Sequence, residues 1–200
     1  LHLSLRRQRQ MCIRDSGYSL DPAAIFKAVA MVHKRVRGSY AVTAQIAGYG
    51  LLAFRDPFGI RPLCIGFNET EHGTEYLVAS ESVALEGLGF RFLRDVLPGE
   101  AIFIDIDGKL YNQQCAENPT LNPCAFEFVY FARPDSIIDG ASVYATRLKM
   151  GEYLAEKIKR EIPLGDIDVV MPIPDSSRPA AMELAQKLNI ESVSYTHLTL

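Results

Sequence analysis

The chain has 200 residues, 48% of them hydrophobic and 22% charged, with a formal net charge of −3. That balance excludes a disordered or coiled-coil chain and leaves room for one large or two small cores. No apolar run reaches the roughly 18 residues of a membrane span, and the basic opening lacks a signal peptide's apolar stretch, so a cytoplasmic protein without membrane contact is expected.

The charge is unevenly spread. Four Arg and one Asp fall in residues 1–16 and no charge in 193–200, so residues 17–192 carry −6. An acidic body argues against nucleic-acid binding, and an anionic ligand has to be held locally. Both end strings, 1–16 and 193–200, lack any period that continues into the middle. They resemble translated adaptor read-through and are expected to be non-native segments. Cys12, Cys64, Cys115 and Cys124 form no C-x-x-C pair and read as free thiols.

In chain order, Asp21 and Pro22 open a helix over 22–37 with Ile25, Phe26, Val29, Val32 and Val36 on one face and Gly38 as its stop. Residues 40–46 alternate as a strand, and 48–50 turn into a second strand ending at Arg55. Asp56, Pro57, Phe58 and Gly59 form a turn returning into a strand over 60–66, a hairpin meander. A polar loop over 68–74 leads to a strand at 75–79, and Ser80 caps a short helix ending near Gly87. Strands follow at 90–96, 101–106 and 109–113, the last two paired across Asp107 and Gly108. His33 and His72 have no partner motif and read as surface residues.

Residues 115–124, with Asn-Pro twice, read as a linker between units at 17–114 and 125–192. The aromatic run 126–131 is most simply core. Ser142 caps a helix reaching Glu161, with Leu148, Gly151, Leu154, Ala155 and Ile158 at helical spacing. Val169, Val170 and Met171 read as a strand buried on both faces, and residues 178–188 as a helix with Pro179 in its first turn. The polar loop between them sits at a helix N-terminus, where free N–H groups, the Ser176 and Ser177 hydroxyls and the helix dipole suit a phosphate. The same residues also fit a plain capping loop in which Asp175 or Ser176 bonds only its own helix.

Several ordered segments resemble the amidophosphoribosyltransferases. Gly-Ser-Tyr-Ala-Val (38–42), Ala-Phe-Arg-Asp-Pro-Phe-Gly-Ile-Arg-Pro-Leu (53–63), Val-Ala-Ser-Glu-Ser-Val-Ala-Leu (78–85) and Phe-Leu-Arg-Asp-Val-Leu-Pro-Gly-Glu-Ala (92–101) resemble the later part of that family's glutaminase domain. Tyr-Phe-Ala-Arg-Pro-Asp-Ser (130–136), Ser-Val-Tyr (142–144) and Pro-Ile-Pro-Asp-Ser-Ser (172–177) resemble the start of its phosphoribosyltransferase domain.

The resemblance implies an α+β unit followed by an α/β unit. The first would be the second half of an Ntn-type glutaminase αββα sandwich. The second would be the first β-loop-α of a type I phosphoribosyltransferase parallel sheet. It also implies an internal fragment, inactive by itself, of an enzyme that makes phosphoribosylamine from glutamine and phosphoribosyl pyrophosphate; the alternative is a standalone, non-enzymatic module that binds phosphorylated ribose. Ser176 falls where the family ties a hydroxyl to Mg²⁺ and phosphoribosyl pyrophosphate, with Asp175, Ser177 and Arg178 beside it in the pyrophosphate loop. Phe126 and Tyr130 fall on positions of the interdomain ammonia path, while Arg55, Asp56, Arg61 and Glu81 organise their turn and its ion pairs. The full-length parent is expected to be a homo-oligomer.

The departures are as specific. Cys12 is followed by Ile-Arg-Asp and not by the family's Gly-Ile, so no catalytic nucleophile is assigned. The later strand ending in two Asp residues does not occur here. Cys124 matches an iron–sulfur ligand of some members, but its companions would lie outside this chain, and no cluster is expected.

Overall fold

A computed structural model describes residues 21–194. The adaptor-like string 1–16 and positions 195–200 lie outside the described residues. Helix α1 (Pro22–Arg35) starts behind Asp21, whose Oδ1 accepts the Ala23 N–H at 3.0 Å, with proline in the first turn. It stops two residues sooner than the pattern predicts. Val36 is already extended, and Gly38 completes the exit at a φ of +102°.

Seven strands follow: β1 (Ala41–Ile46), β2 (Gly50–Arg55), β3 (Cys64–Thr70), β4 (Gly73–Ala79), β5 (Arg91–Asp95), β6 (Glu100–Asp105) and β7 (Leu110–Gln114). They form two antiparallel sheets ordered β1-β2-β6-β7 and β4-β3-β5. Because strand side chains alternate, each inner strand of the first sheet serves two cores. Leu52, Phe54, Ala101 and Phe103 pack with Ile25, Phe26 and Val29 of α1, while Ala53, Ile102 and Ile104 pack with Leu63, Ile65 and Val96 of the second sheet. Each large side chain so buried contributes about 1.5–3 kcal/mol. A short helix, α2 (Ser82–Gly87), lies on the outer face of the second sheet, where Leu85 presses on Gly66. The layer order is helix, sheet, sheet, helix.

Four local readings change. The Asp56–Gly59 turn does not close a hairpin: β2 pairs β1 and β6, whereas β3 belongs to the other sheet. The turn is a crossover between sheets, because the Asp56 carboxylate gathers the N–H groups of Phe58, Ile60 and Arg61 and bends the chain away from β2. The polar stretch 68–74 is a tight hairpin, with Thr70 opposite Gly73 and only Glu71 and His72 between them. Ser80 does not cap α2; Glu81 occupies the cap position and makes no capping bond. His33, expected at the surface, is half-buried, with Nδ1 2.7 Å from Tyr40 Oη and its ring against Phe54.

Residues 115–124 are irregular, but they run along the crossover turn: Thr120, Asn122 and Cys124 donate N–H bonds to Pro57, Phe58 and Ile60 at 3.0, 2.7 and 3.2 Å. Beyond them lie a π-helical turn (Glu127–Phe131), the small hairpin β8 (Ile137–Ile138) and β9 (Ala141–Ser142), and helix α3 (Val143–Glu161). Strand β10 (Val169–Val170), helix α4 (Arg178–Leu188) and strand β11 (Glu191–Ser192) complete the described chain. β10 and β11 are parallel, and the Val193 N–H extends the ladder to Val170 O at 3.0 Å. Ala155, Val170, Ala181, Leu184, Ala185 and Leu188 form the core of this unit. Val169 and Met171, expected to be buried, are exposed; only Val170 packs inward, because a two-strand sheet has one covered face here. No helix among the described residues is long and apolar enough to cross a membrane.

Candidate functional site

The site is built around the crossover turn and the segment that faces it. Arg55 ends β2 and is only 1% exposed, so its five guanidinium N–H groups need protein acceptors. They find them: Nε bonds Arg61 O, Nη1 bonds Val96 O and Asp139 Oδ1, and Nη2 bonds Gly59 O and Asp139 Oδ2, at 2.6–2.9 Å. Gly59 sits above this group at a φ of +58°, where a Cβ would fall 2.8 Å from Pro98 and 2.9 Å from Leu121. Asp139, also at positive φ, faces Asp95, whose carboxyl is held above its usual range by burial first and by the Asp139 charge second.

Three further groups reach across the 115–124 boundary. Arg61 Nη1 lies 2.5 Å from Glu127 Oε1. The Glu81 carboxylate accepts from the Arg133 N–H at 2.8 Å and the buried Ser136 Oγ at 2.6 Å. Ser82 Oγ accepts the Ile137 N–H at 3.0 Å. From the other side, Arg147 of α3, itself buried, donates to Phe128 O and Ala132 O at 2.7 and 2.8 Å. The π-turn is thus fastened at its start by Arg61 and through its length by Arg147.

That turn does not bury its aromatic run as expected. Phe128 is inside, but Phe126 and Tyr130 are 64% and 53% exposed, and Phe131 stands between them at ring-centroid distances of 6.3 and 5.6 Å. The turn lies beside Asp175–Ser177, the 3-10 turn that opens α4. The fold therefore sets the turn that carries Tyr130, with Phe126 just before it, next to residues 175–177, sequence segments some 45 positions apart.

Within the loop, Ser177 Oγ donates to Pro174 O at 2.7 Å, and Arg178 Nε bonds Asp175 Oδ1 at 3.0 Å. No side chain caps α4. The Ser176 hydroxyl takes no protein partner among the described residues. Of the two readings the sequence left open, capping by Asp175 or Ser176 is not what the chain does. Asp175 and Arg178 neutralise each other, and the N-terminus of α4 has no side-chain cap. No cluster of three or more His, Cys, Asp or Glu side chains able to hold a metal occurs among the described residues. Burial pushes the Cys64 thiol up to about 12 and the Cys115 thiol up as well, so neither is an activated nucleophile.

From the sequence, Arg55, Asp56, Arg61 and Glu81 are expected to organise their turn and its ion pairs, whereas the partners Asp139 and Arg147 carry no assignment. The signal for Arg147 was present: Val143, Arg147, Gly151 and Ala155 recur every four residues and form the buried stripe of α3. An arginine inside a stripe of small and apolar residues marks a buried charge seeking carbonyls.

These features define a mixed α and β protein, an antiparallel layered unit tied to a parallel β-loop-α unit by the Arg55–Asp139 and Arg61–Glu127 ion pairs. Models of protein families give no match to the chain. Individual proteins do. It is 56% identical over 173 residues to the amidophosphoribosyltransferase of Pasteurella multocida, covering 86% of this chain and 34% of that protein. It is 59% identical over 167 residues to that of Pseudomonas aeruginosa, covering 84% and 33%. The structure of Bacillus subtilis glutamine phosphoribosylpyrophosphate amidotransferase complexed with ADP and GMP superposes with a TM-score of 0.73 at 32% identity, over 91% of this chain and 37% of that one. The chain belongs to the amidophosphoribosyltransferase family and spans about a third of the length of the curated relatives it matches.

Proposed function

We propose that the chain is the central part of an enzyme that transfers ammonia from glutamine to phosphoribosyl pyrophosphate, giving phosphoribosylamine and pyrophosphate in purine biosynthesis. On this reading residues 17–114 are the later part of an Ntn-type glutaminase sandwich and 115–124 the linker. Residues 125–192 are the first β-loop-α of a type I phosphoribosyltransferase sheet. The end strings 1–16 and 193–200 would be foreign to the enzyme, although the Val193 N–H still bonds to β10. The enzyme would act in the cytoplasm as a homo-oligomer. The chain alone would be inactive, since the glutamine-attacking cysteine is not among its assigned residues.

The observation that carries the proposal is the placing of an uncapped helix N-terminus with a partnerless Ser176 beside the exposed Phe126 and Tyr130. The positive end of the α4 dipole and the Ser176 hydroxyl would attract the pyrophosphate oxygens, since the Ser177 and Arg178 N–H groups already donate to Pro174 O and Asp175 O, and the Arg178 side chain would add charge once released from Asp175. Phe126 and Tyr130 would keep water from the path along which ammonia arrives. Ser176 Oγ suits Mg²⁺ as a hard oxygen donor, but it is one ligand, so the ion would be held mainly by the pyrophosphate itself. When bound, Mg²⁺ would neutralise charge on the leaving group.

The test is calorimetry with phosphoribosyl pyrophosphate and Mg²⁺ on the full-length enzyme that carries this segment. Ser176→Ala is expected to weaken binding by about tenfold, the loss of one charge-assisted hydrogen bond. Unchanged affinity would remove Ser176 from the site, and no binding by the unaltered enzyme would remove the function.

A further inference from the structure

The two units are joined by links that differ in kind. Arg55 spends three of its five N–H groups on carbonyls of its own unit, so its pairing with Asp139 is part of the crossover's construction. Arg61 and Glu127 are different. The Arg61 side chain is 45% exposed, whereas that of Glu127 is 6% exposed and sits at the root of the aromatic turn. Glu127 directly follows Phe126 and lies one helical turn before Tyr130. Its Oε1 is sealed from solvent and has no aligned hydrogen bond, so the Arg61 charge is what faces it. Burial raises the Glu127 carboxyl above its usual range, and Arg61 is the cation that opposes this. Shifting Arg61 would leave a buried carboxylate unpaired, and shifting the aromatic turn would strip Arg61 of its partner.

We propose that the Arg61–Glu127 ion pair is a positioning strut, which ties the setting of the aromatic turn and the neighbouring 175–177 loop to the crossover turn of the antiparallel unit. Neither residue belongs to the loop proposed to hold the pyrophosphate. Arg61 supplies one of the three N–H groups that the Asp56 carboxylate gathers, so a movement at Glu127 is delivered to the crossover turn of the first unit. Occupation of the loop by pyrophosphate oxygens would then be felt at the crossover, coupling one site to the other through a single charged contact. The inference rests on the proposed function and adds the residues that would link its two half-reactions.

The full-length enzyme carrying this segment provides the test, with amine formation measured once with glutamine and once with free ammonia as nitrogen source. Glu127→Gln keeps the side-chain volume and removes a buried charge, so it is expected to fold; Arg61→Gln removes the cation and Arg61→Lys restores it. In Glu127→Gln and Arg61→Gln, glutamine-supported synthesis is expected to fall about 5- to 150-fold, the range of a typical coupling energy. Ammonia-supported synthesis should stay within about twofold, and Arg61→Lys should recover glutamine use. Equal loss of both activities would show a merely structural pair and overturn the inference, as would no loss of either. An unaltered enzyme without amine formation from either source would instead overturn the proposed function, and the strut with it.

Discussion

Arg55 shows how one side chain organises the crossover. Its five N–H groups are all satisfied in a site that water does not reach, and two of those bonds depend on Asp139 across the boundary. Removing one partner of a buried ion pair leaves the other charge without solvation, which costs about 3–5 kcal/mol. Asp139→Ala is therefore expected to lower the chain's unfolding free energy by about that amount in urea titrations. Asp139→Asn, which tolerates the positive φ and keeps one acceptor, should cost clearly less. A second residue-scale expectation concerns His33. Its pKa is lowered by burial, which outweighs the Gly99 carbonyl and the Asp56 charge that raise it. The folded state thus binds the proton less readily than the unfolded chain, whose histidine titrates near pH 6.5. Its contribution to stability is complete above that pH and is lost as pH falls from there through the lower folded value. Unfolding titrations across this window should show the decline, and His33→Gln should flatten it.

At the scale of elements, the second unit depends on how closely α3 and α4 approach. Gly151 faces Ala180, and a Cβ there would lie 2.3 Å from the Ala180 carbonyl oxygen. Backbone cannot yield as a flexible side chain does, so Gly151→Ala is expected to spread the helices and cost about 1–3 kcal/mol, measured as a lowered melting temperature of this chain. The helices themselves were legible in the sequence, because Asp21 and Ser142 are side-chain caps and the apolar spacing is helical. The β6–β7 hairpin was legible for the same local reason, its turn being written in Asp107 and Gly108. The crossover at Asp56 was not. A turn sequence fixes the direction of the next few residues, whereas the sheet they join depends on Arg55 finding Val96 and Asp139, far along the chain. The exposed aromatic turn was missed because hydrophobicity alone assigns Phe126, Tyr130 and Phe131 to a core, and only the buried Glu127 and Arg147 reveal which face turns inward.

For the whole molecule, the units are bound to one another by side chains from motifs on both sides of residues 115–124. Arg55, Arg61, Glu81 and Ser82 on one side meet Asp139, Glu127, Arg133, Ser136 and Ile137 on the other. The family resemblance covers both sides in the same order, and the comparisons with the Pasteurella and Pseudomonas proteins extend over 86% and 84% of the chain. Of the candidate site, the loop at 175–178 was legible because a strand, small polar residues and a helix follow one another without a gap. Its juxtaposition with Phe126 and Tyr130 was not, since it is created by the return of α3 across the unit. This juxtaposition is proposed as one wall of a phosphoribosyl pyrophosphate site. Its most direct test is the rate of pyrophosphate release from phosphoribosyl pyrophosphate, with glutamine supplied, by the full-length enzyme and its Ser176→Ala variant. Release that depends on glutamine and falls about 10- to 100-fold in the variant is the expected result. Release at an unchanged rate in the variant, or none in the unaltered enzyme, would contradict it.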